Sequence, residues 1–247
     1  MNHQIRIGYF YHDLCNLYGD SGNVLILAKK LEQQGFRVTV DRLTADEPKK
    51  IESYDVIYLG SATERGLLIA LMDLRKYRTP LAYAISHGTH ILATGNSFEL
   101  FGQKLIMGKK THKALGLLDF STLYERRIVN DLLLSDVVFP FSADGTQLSA
   151  DEKFIGFENH SGSTVESSEK AFIDTADRKE GVVREHFIGT YTIGPLLVRN
   201  PVFLSHYVQS VIMRKDPSFV MKPMDLHLEN AAYEASVKEL SSDHKTY

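Results

Sequence analysis

Ile91-Leu92-Ala93-Thr94-Gly95-Asn96-Ser97-Phe98-Glu99-Leu100-Phe101-Gly102 runs from an apolar block, through small and polar residues, to apolar positions at helical spacing. The pattern predicts a buried strand that feeds a tight turn and then a helix. In open α/β sheets such a junction lies at the carboxyl edge of the strands, where sites gather. An elbow of this kind usually carries a nucleophile at its tip, with amide N–H groups nearby for an oxyanion. Here the tip is Gly95. Glycine supplies the backbone geometry and no attacking atom.

The segments before the elbow alternate between strand and helix patterns. Ile5 to Tyr11 reads as a strand and leads into the polar loop Asp13 to Asn23. Val24 to Gln34 has helical spacing with Gly35 as its stop, and Arg37 to Leu43 alternates as a strand. Asp55 to Gly60 is a further strand, followed by Gly60-Ser61-Ala62 and a helix from Glu64 to about Tyr77. Another helix begins at Thr79-Pro80. This alternation predicts right-handed βαβ units and a mostly parallel sheet.

After Gly102 the strand signals dominate. Leu105 to Met107, Leu115 to Asp119, Arg127 to Leu134 and Val137 to Phe139 read as strands. Phe154 to Phe157 reads as a strand entering a polar turn at Glu158-Asn159-His160-Ser161-Gly162. Phe187 to Thr192 is a strand ended by Gly194-Pro195, Pro201 to Met213 a helix, and Asp225 to Leu240 a last amphipathic helix before a polar tail. No repeat or linker interrupts the chain, so one domain over 1–247 is expected.

The totals narrow the function classes. The 247 residues are 43% hydrophobic and 24% charged, enough for one large core. A net charge of -3 gives no basic footprint for nucleic acid. No apolar run approaches the ~20 residues that span a bilayer, and the start lacks a signal-peptide core. A cytoplasmic protein without membrane or nucleic-acid partner is expected. The single cysteine, Cys15, excludes an internal disulfide and a multi-cysteine metal site.

Several motifs together resemble the class I glutamine amidotransferases. They are Asn16-Leu17-Tyr18-Gly19-Asp20-Ser21-Gly22-Asn23, Gly116-Leu117-Leu118-Asp119-Phe120, Gly156-Phe157-Glu158-Asn159-His160, and Gly189-Thr190-Tyr191 followed by Gly194-Pro195. The resemblance is to the cobyric acid synthase branch, and within it to the glutaminase (GatD) subunits of lipid II isoglutaminyl synthase. It implies a three-layer, flavodoxin-like α/β fold, no cofactor, and a Mur-ligase-like synthetase as a possible partner subunit.

The resemblance also implies where catalysis would sit. The family elbow reads Cys-Gly-Gly-Tyr-Gln, and its cysteine falls on Gly95 of this chain. The family's histidine falls on Ile193, and its glycine-rich oxyanion loop on Gly60-Ser61-Ala62. An isoleucine neither takes nor gives a proton. The expectation is therefore no catalytic residue, no metal, and a ligand-binding pocket. Its candidate residues are Gly60, Ser61, Asn96, Ser97, Phe98, Arg127, Glu158, Asn159, His160 and Tyr191.

Each alternative has a plainer reading. Cys15 serves as a structural thiol more readily than as a relocated nucleophile. Thr94 and Ser97 carry hydroxyls but no apparent base. His160 shapes the pocket more readily than it moves protons. His87, His90 and His112 lack metal-ligand spacing. Arg127 is either a pocket cation or a solvated strand-edge residue. Glu64 also suits the positive end of a helix. Lys109-Lys110-Thr111-His112-Lys113 reads as a solvated loop. Three functions stay open: a non-catalytic ligand-binding or regulatory subunit, an active glutaminase or other hydrolase completed by a partner, and a protein-interaction module. A flavin or nucleotide module is disfavoured, because the loop after the first strand lacks both a Gly-x-Gly-x-x-Gly and a P-loop lysine.

Overall fold

The computed structural model describes residues 3–135, 152–175 and 178–243. The amino-terminal half builds β1 (Gln4–Phe10), α1 (Ser21–Gln33), β2 (Arg37–Leu43), β3 (Val56–Leu59), α2 (Glu64–Leu74), α3 (Arg78–Ser86) and β4 (His90–Thr94). Then follow β5 (Lys104–Met107), β6 (Lys110–Lys113), β7 (Ser121–Leu134), β8 (Phe154–Val165), β9 (Ile173–Thr175), β10 (Arg178–Glu180), β11 (Val182–Arg184), β12 (Phe187–Thr190) and β13 (Thr192–Ile193). The chain closes with α4 (Leu196–Arg199), α5 (Pro201–Lys215) and α6 (His227–Asp243).

The central sheet has the order β11-β12-β4-β3-β1-β2. Its strands are parallel except for β11, which runs antiparallel to β12. The order β2-β1-β3-β4-β12 is the flavodoxin-like winding that the family resemblance implies. The sheet reverses direction of growth at β1, so the loops after β1 and β3 open a crevice at the carboxyl edge. β3 and β4 are buried along their whole length, because helices cover both faces. Leu67, Leu71, Leu74 and Leu81 of α2 and α3 fill one face. Val24, Leu27 and Leu31 of α1 meet Leu204, Tyr207 and Val208 of α5 on the other. Each fully buried aliphatic side chain contributes about 1.5–3 kcal/mol.

A second sheet, β13-β8-β7-β5-β6, stands beside the carboxyl edge of the first. The chain crosses between the two at Tyr191. Thr190 pairs with Thr94 in the central sheet, and Thr192 pairs with Glu158 in the second.

Four expectations are corrected. The segment after Gly95 is a 3-10 helix over Gly95–Phe101 rather than an α-helix. It is buried on nearly every side, and its packing rather than an amphipathic face sets its form. Leu115 to Asp119 forms no strand. Its amides bond instead to the elbow segment, Leu115 N–H to Leu100 O at 2.9 Å and Leu117 N–H to Phe101 O at 2.9 Å. The expected turn at Glu158 to Gly162 is strand: β8 runs through it, paired with β7. The strand at Phe187 to Thr192 is two strands in two sheets. The short strands β6, β9, β10 and β11 carry no clear sequence signal. The strand expected at Val137 to Phe139 lies outside the described residues.

Candidate functional site

The crevice is a cleft of about 180 Å³ at the carboxyl edge. The loop after β1 supplies Leu17 and Tyr18, the loop after β3 supplies Ser61 to Glu64, and the elbow supplies Asn96. The β7–β8 pair closes the far side with Tyr124, Arg127, Asn159, His160, Ser161 and Gly162. Tyr18 holds a left-handed backbone, φ 60°, at the mouth. Non-glycine residues rarely adopt that conformation, and it clusters at functional loops.

Gly95 keeps the strained elbow backbone, with φ 63°. The space above it is filled. A Cβ built at Gly95 would lie 1.9 Å from Ser61 Oγ and 2.7 Å from Ser61 Cβ. The amides of the loop after β3 are also engaged. Ser61 N–H donates to Asp20 Oδ2 at 2.7 Å, and Ala62 N–H donates to Asn96 Oδ1 at 2.9 Å. Asn96 Nδ2 returns a bond to Ala62 O at 2.9 Å, closing a two-bond clasp between elbow and loop. Ile193 is buried in β13, paired with Phe157.

Asp20 is buried beneath this arrangement. Burial pushes its carboxyl up to about 7, against the bonds from Ser61, Thr94 and Tyr58 that favour the anion. The neighbouring cysteine is sealed off. Cys15 is fully buried, and burial raises its thiol well above the ordinary range. A thiol held protonated in this way is inert.

The β7–β8 wall carries Arg127 and His160. A register irregularity between Tyr124 and Ile128 marks a bulge. Bulges re-aim side chains, and this one sets Arg127, whose Nε donates to Asn159 Oδ1 at 2.6 Å. His160 lies flat on Tyr191, ring centroids 3.8 Å apart. Its Nε2 lies 3.5 Å from Glu158 Oε2, and its Nδ1 bonds Gly162 O at 2.6 Å. Glu158 also pairs with Arg178. Burial pushes the Glu158 carboxyl up, but His160 and Arg178 outweigh it and hold the group below the usual carboxylate range.

Two further carboxyls sit behind the cleft. Glu99 accepts from Tyr124 Oη at 2.5 Å, and burial pushes it up to about 8. A Cβ at Gly162 would come within 2.2 Å of Glu99 Oε1, so glycine makes room for this side chain. Glu180 accepts from the Tyr191 amide and the Thr190 hydroxyl, and burial lifts it to about 7.

Of the residues expected in the pocket, Ser61, Asn96, Arg127, Asn159 and His160 line the cleft. Ser97, Phe98, Glu158 and Tyr191 are buried behind it. Ser97 Oγ donates to Leu59 O at 3.2 Å and Thr94 O at 3.0 Å, tying the elbow to the β3 end. Gly60 lies underneath, where a Cβ would stand 2.5 Å from Cys15 O. Tyr18, Thr63 and Tyr124 also line the cleft and were not singled out from sequence. No group of three or more metal-ligating side chains occurs among the described residues.

The CobB/CobQ-like glutamine amidotransferase domain matches residues 6–201. The chain belongs to the CobB/CobQ-like glutamine amidotransferase family. It is 27% identical over 252 residues to the GatD subunit of lipid II isoglutaminyl synthase (glutamine-hydrolyzing) from Staphylococcus aureus strain N315, covering 99% of both chains. It is 28% identical over 225 residues to the GatD subunit from Streptococcus pneumoniae strain ATCC BAA-255 / R6, covering 86% of this chain and 82% of that one.

Solved amidotransferase structures share the fold. A glutamine amidotransferase crystal structure superposes with a TM-score of 0.53 at 13% identity, over 83% of this chain and 98% of that one. A glutamine amidotransferase from Thermotoga maritima also gives 0.53, at 11% identity over 96% and 94%.

Proposed function

We propose that this GatD-like chain is a non-catalytic member of its family. It binds a small polar ligand in the cleft and serves as a regulatory or structural subunit beside a Mur-ligase-like synthetase. The observation that carries the reading is the filled elbow. Ser61 stands where a nucleophile's Cβ would begin, 1.9 Å from the built position at Gly95. Attack on an amide needs a thiolate or activated hydroxyl and a base within hydrogen-bond reach. Gly95 offers no such atom and Ile193 no proton acceptor. The Asp20 and Asn96 bonds occupy the two loop amides that an oxyanion would otherwise take. The test is ammonia release from glutamine by the purified protein, alone and mixed with a Mur-ligase-like synthetase from the same organism. No release in either case is expected. Turnover at an ordinary enzymatic rate would overturn the reading.

One observation favours a second reading, an enzyme completed by a partner. His160 lines the cleft with Ser61 and Ser161, and Glu158 lies behind it with Oε2 3.5 Å from His160 Nε2, a carboxylate–imidazole pair beside two hydroxyls. Activity that appears only in the complex, and disappears in His160→Gln, would support it.

A further inference from the structure

Charge is distributed unevenly along this chain. Residues 74–118 hold seven of its 28 Lys and Arg and one of its 31 Asp and Glu. That stretch therefore carries +6, and the remainder, with 21 cations against 30 carboxylates, carries -9. The one acid in the stretch, Glu99, is fully buried and adds nothing to the surface.

The fold gathers these cations at one end. Arg75, Lys76 and Arg78 stand where α2 gives way to α3, and the other four stand on the β5–β6 hairpin. Arg75 Nη2 donates to Lys113 O at 2.5 Å, and Arg78 Nε to Leu115 O at 2.7 Å. These bonds clamp the helix junction to the hairpin and leave both guanidinium charges uncompensated. Lys104 and Lys113 face each other directly across the hairpin, an arrangement that costs stability. Lysines on an edge strand also discourage strand pairing, which accounts for those on β6 but not for the arginines beside them.

Among the described residues, Lys76 pairs with Asp73 and Lys104 with the exposed Glu166. Arg75, Arg78, Lys109, Lys110 and Lys113 form no ion pair among the described residues. Met72, 62% exposed, stands one helical turn before Arg75 and Lys76.

We propose that the β5–β6 hairpin and the α2–α3 junction form a peripheral docking face for anionic phospholipid headgroups at a bilayer surface. The cations sit on long, mobile side chains at an exposed hairpin and a helix junction, with an exposed methionine beside them. A fluid anionic surface gathers a dispersed set of this kind without matching geometry. The contact is peripheral, since no helix of the described residues is long and apolar enough to cross a membrane.

The test is flotation of the full chain with phosphatidylcholine vesicles, with and without phosphatidylglycerol. Binding only to the phosphatidylglycerol vesicles, and its loss at high salt, are expected. Lys109→Glu/Lys110→Glu/Lys113→Glu is expected to weaken binding at least about tenfold. Lys179→Glu, at a 75% exposed side chain elsewhere, is expected to leave it unchanged. If the triple reversal fails to fold, Lys109→Gln/Lys110→Gln, confined to the exposed hairpin end, gives the same readout. Equal binding to neutral vesicles, absence of binding, or full binding by a folded charge variant overturns the proposal. So does capture by an acidic polypeptide with no binding to vesicles, which would make the face a protein-docking surface.

Discussion

The Ser61 hydroxyl occupies the position that a side chain at Gly95 would need, 1.9 Å from the built Cβ. The two residues are held in this relation from both sides, by Asp20 on the Ser61 amide and by Asn96 on Ala62.

Gly95→Cys is therefore expected to destabilise the protein by about 1–3 kcal/mol, through overpacking at a left-handed backbone position. Ser61→Gly in the same chain should recover part of that loss. Thermal melts measure both effects. Ammonia release is expected from neither variant. Adding Ile193→His gives the smallest set in which a thiol, an imidazole and the space between them can coexist.

Asn96→Ala removes both bonds of the clasp and leaves the Ala62 N–H and C=O without partners. A cost of about 1–3 kcal/mol is expected. Hydrogen exchange gives a local readout: the Ala62 amide should lose protection while the amides of β3 keep theirs.

Glu99 predicts a pH dependence. Burial raises its folded-state value from 4.5 to about 8. The folded state therefore holds this proton to a higher pH than the unfolded chain does. Its stabilising share is complete below 4.5 and is lost as pH rises through about 8. Glu99→Gln, which mimics the protonated carboxyl, should remove that decline. Denaturation midpoints near pH 5 and near pH 8 should differ less in the variant than in the parent.

Lys30 and Glu229 form a buried pair at 2.9 Å that fastens α6 to α1. Lys30→Ala or Glu229→Ala alone leaves one buried charge unpaired, at an expected cost of about 3–5 kcal/mol. Lys30→Met/Glu229→Leu should lie close to the parent. Urea unfolding of the four proteins measures the coupling, and protease cleavage within α6 reports whether the helix has come loose.

The local pattern of the chain determined much of this architecture. Apolar runs broken at Gly35, Gly60 and Gly95 set the alternation of strands and helices, because strand and helix impose different periods on a buried face. The motifs around Gly19, Gly156 and Gly189 pointed to the family, and with it to the place of the elbow. What that pattern could not reveal depended on contacts between distant segments. The turn expected at Glu158 to Gly162 is strand because β7 satisfies its backbone. Its inward positions are Glu158, His160 and Gly162, so alternation of apolar residues was absent. Glu158 tolerates burial because His160 on its own strand and Arg178 from another both reach it. The closing of the elbow is likewise tertiary. Ala62 and Asn96 meet across 34 residues, and the register of β3 beside β4 fixes that meeting. Local periodicity reports which face of an element is buried. Only the packed sheet decides which side chain stands over Gly95.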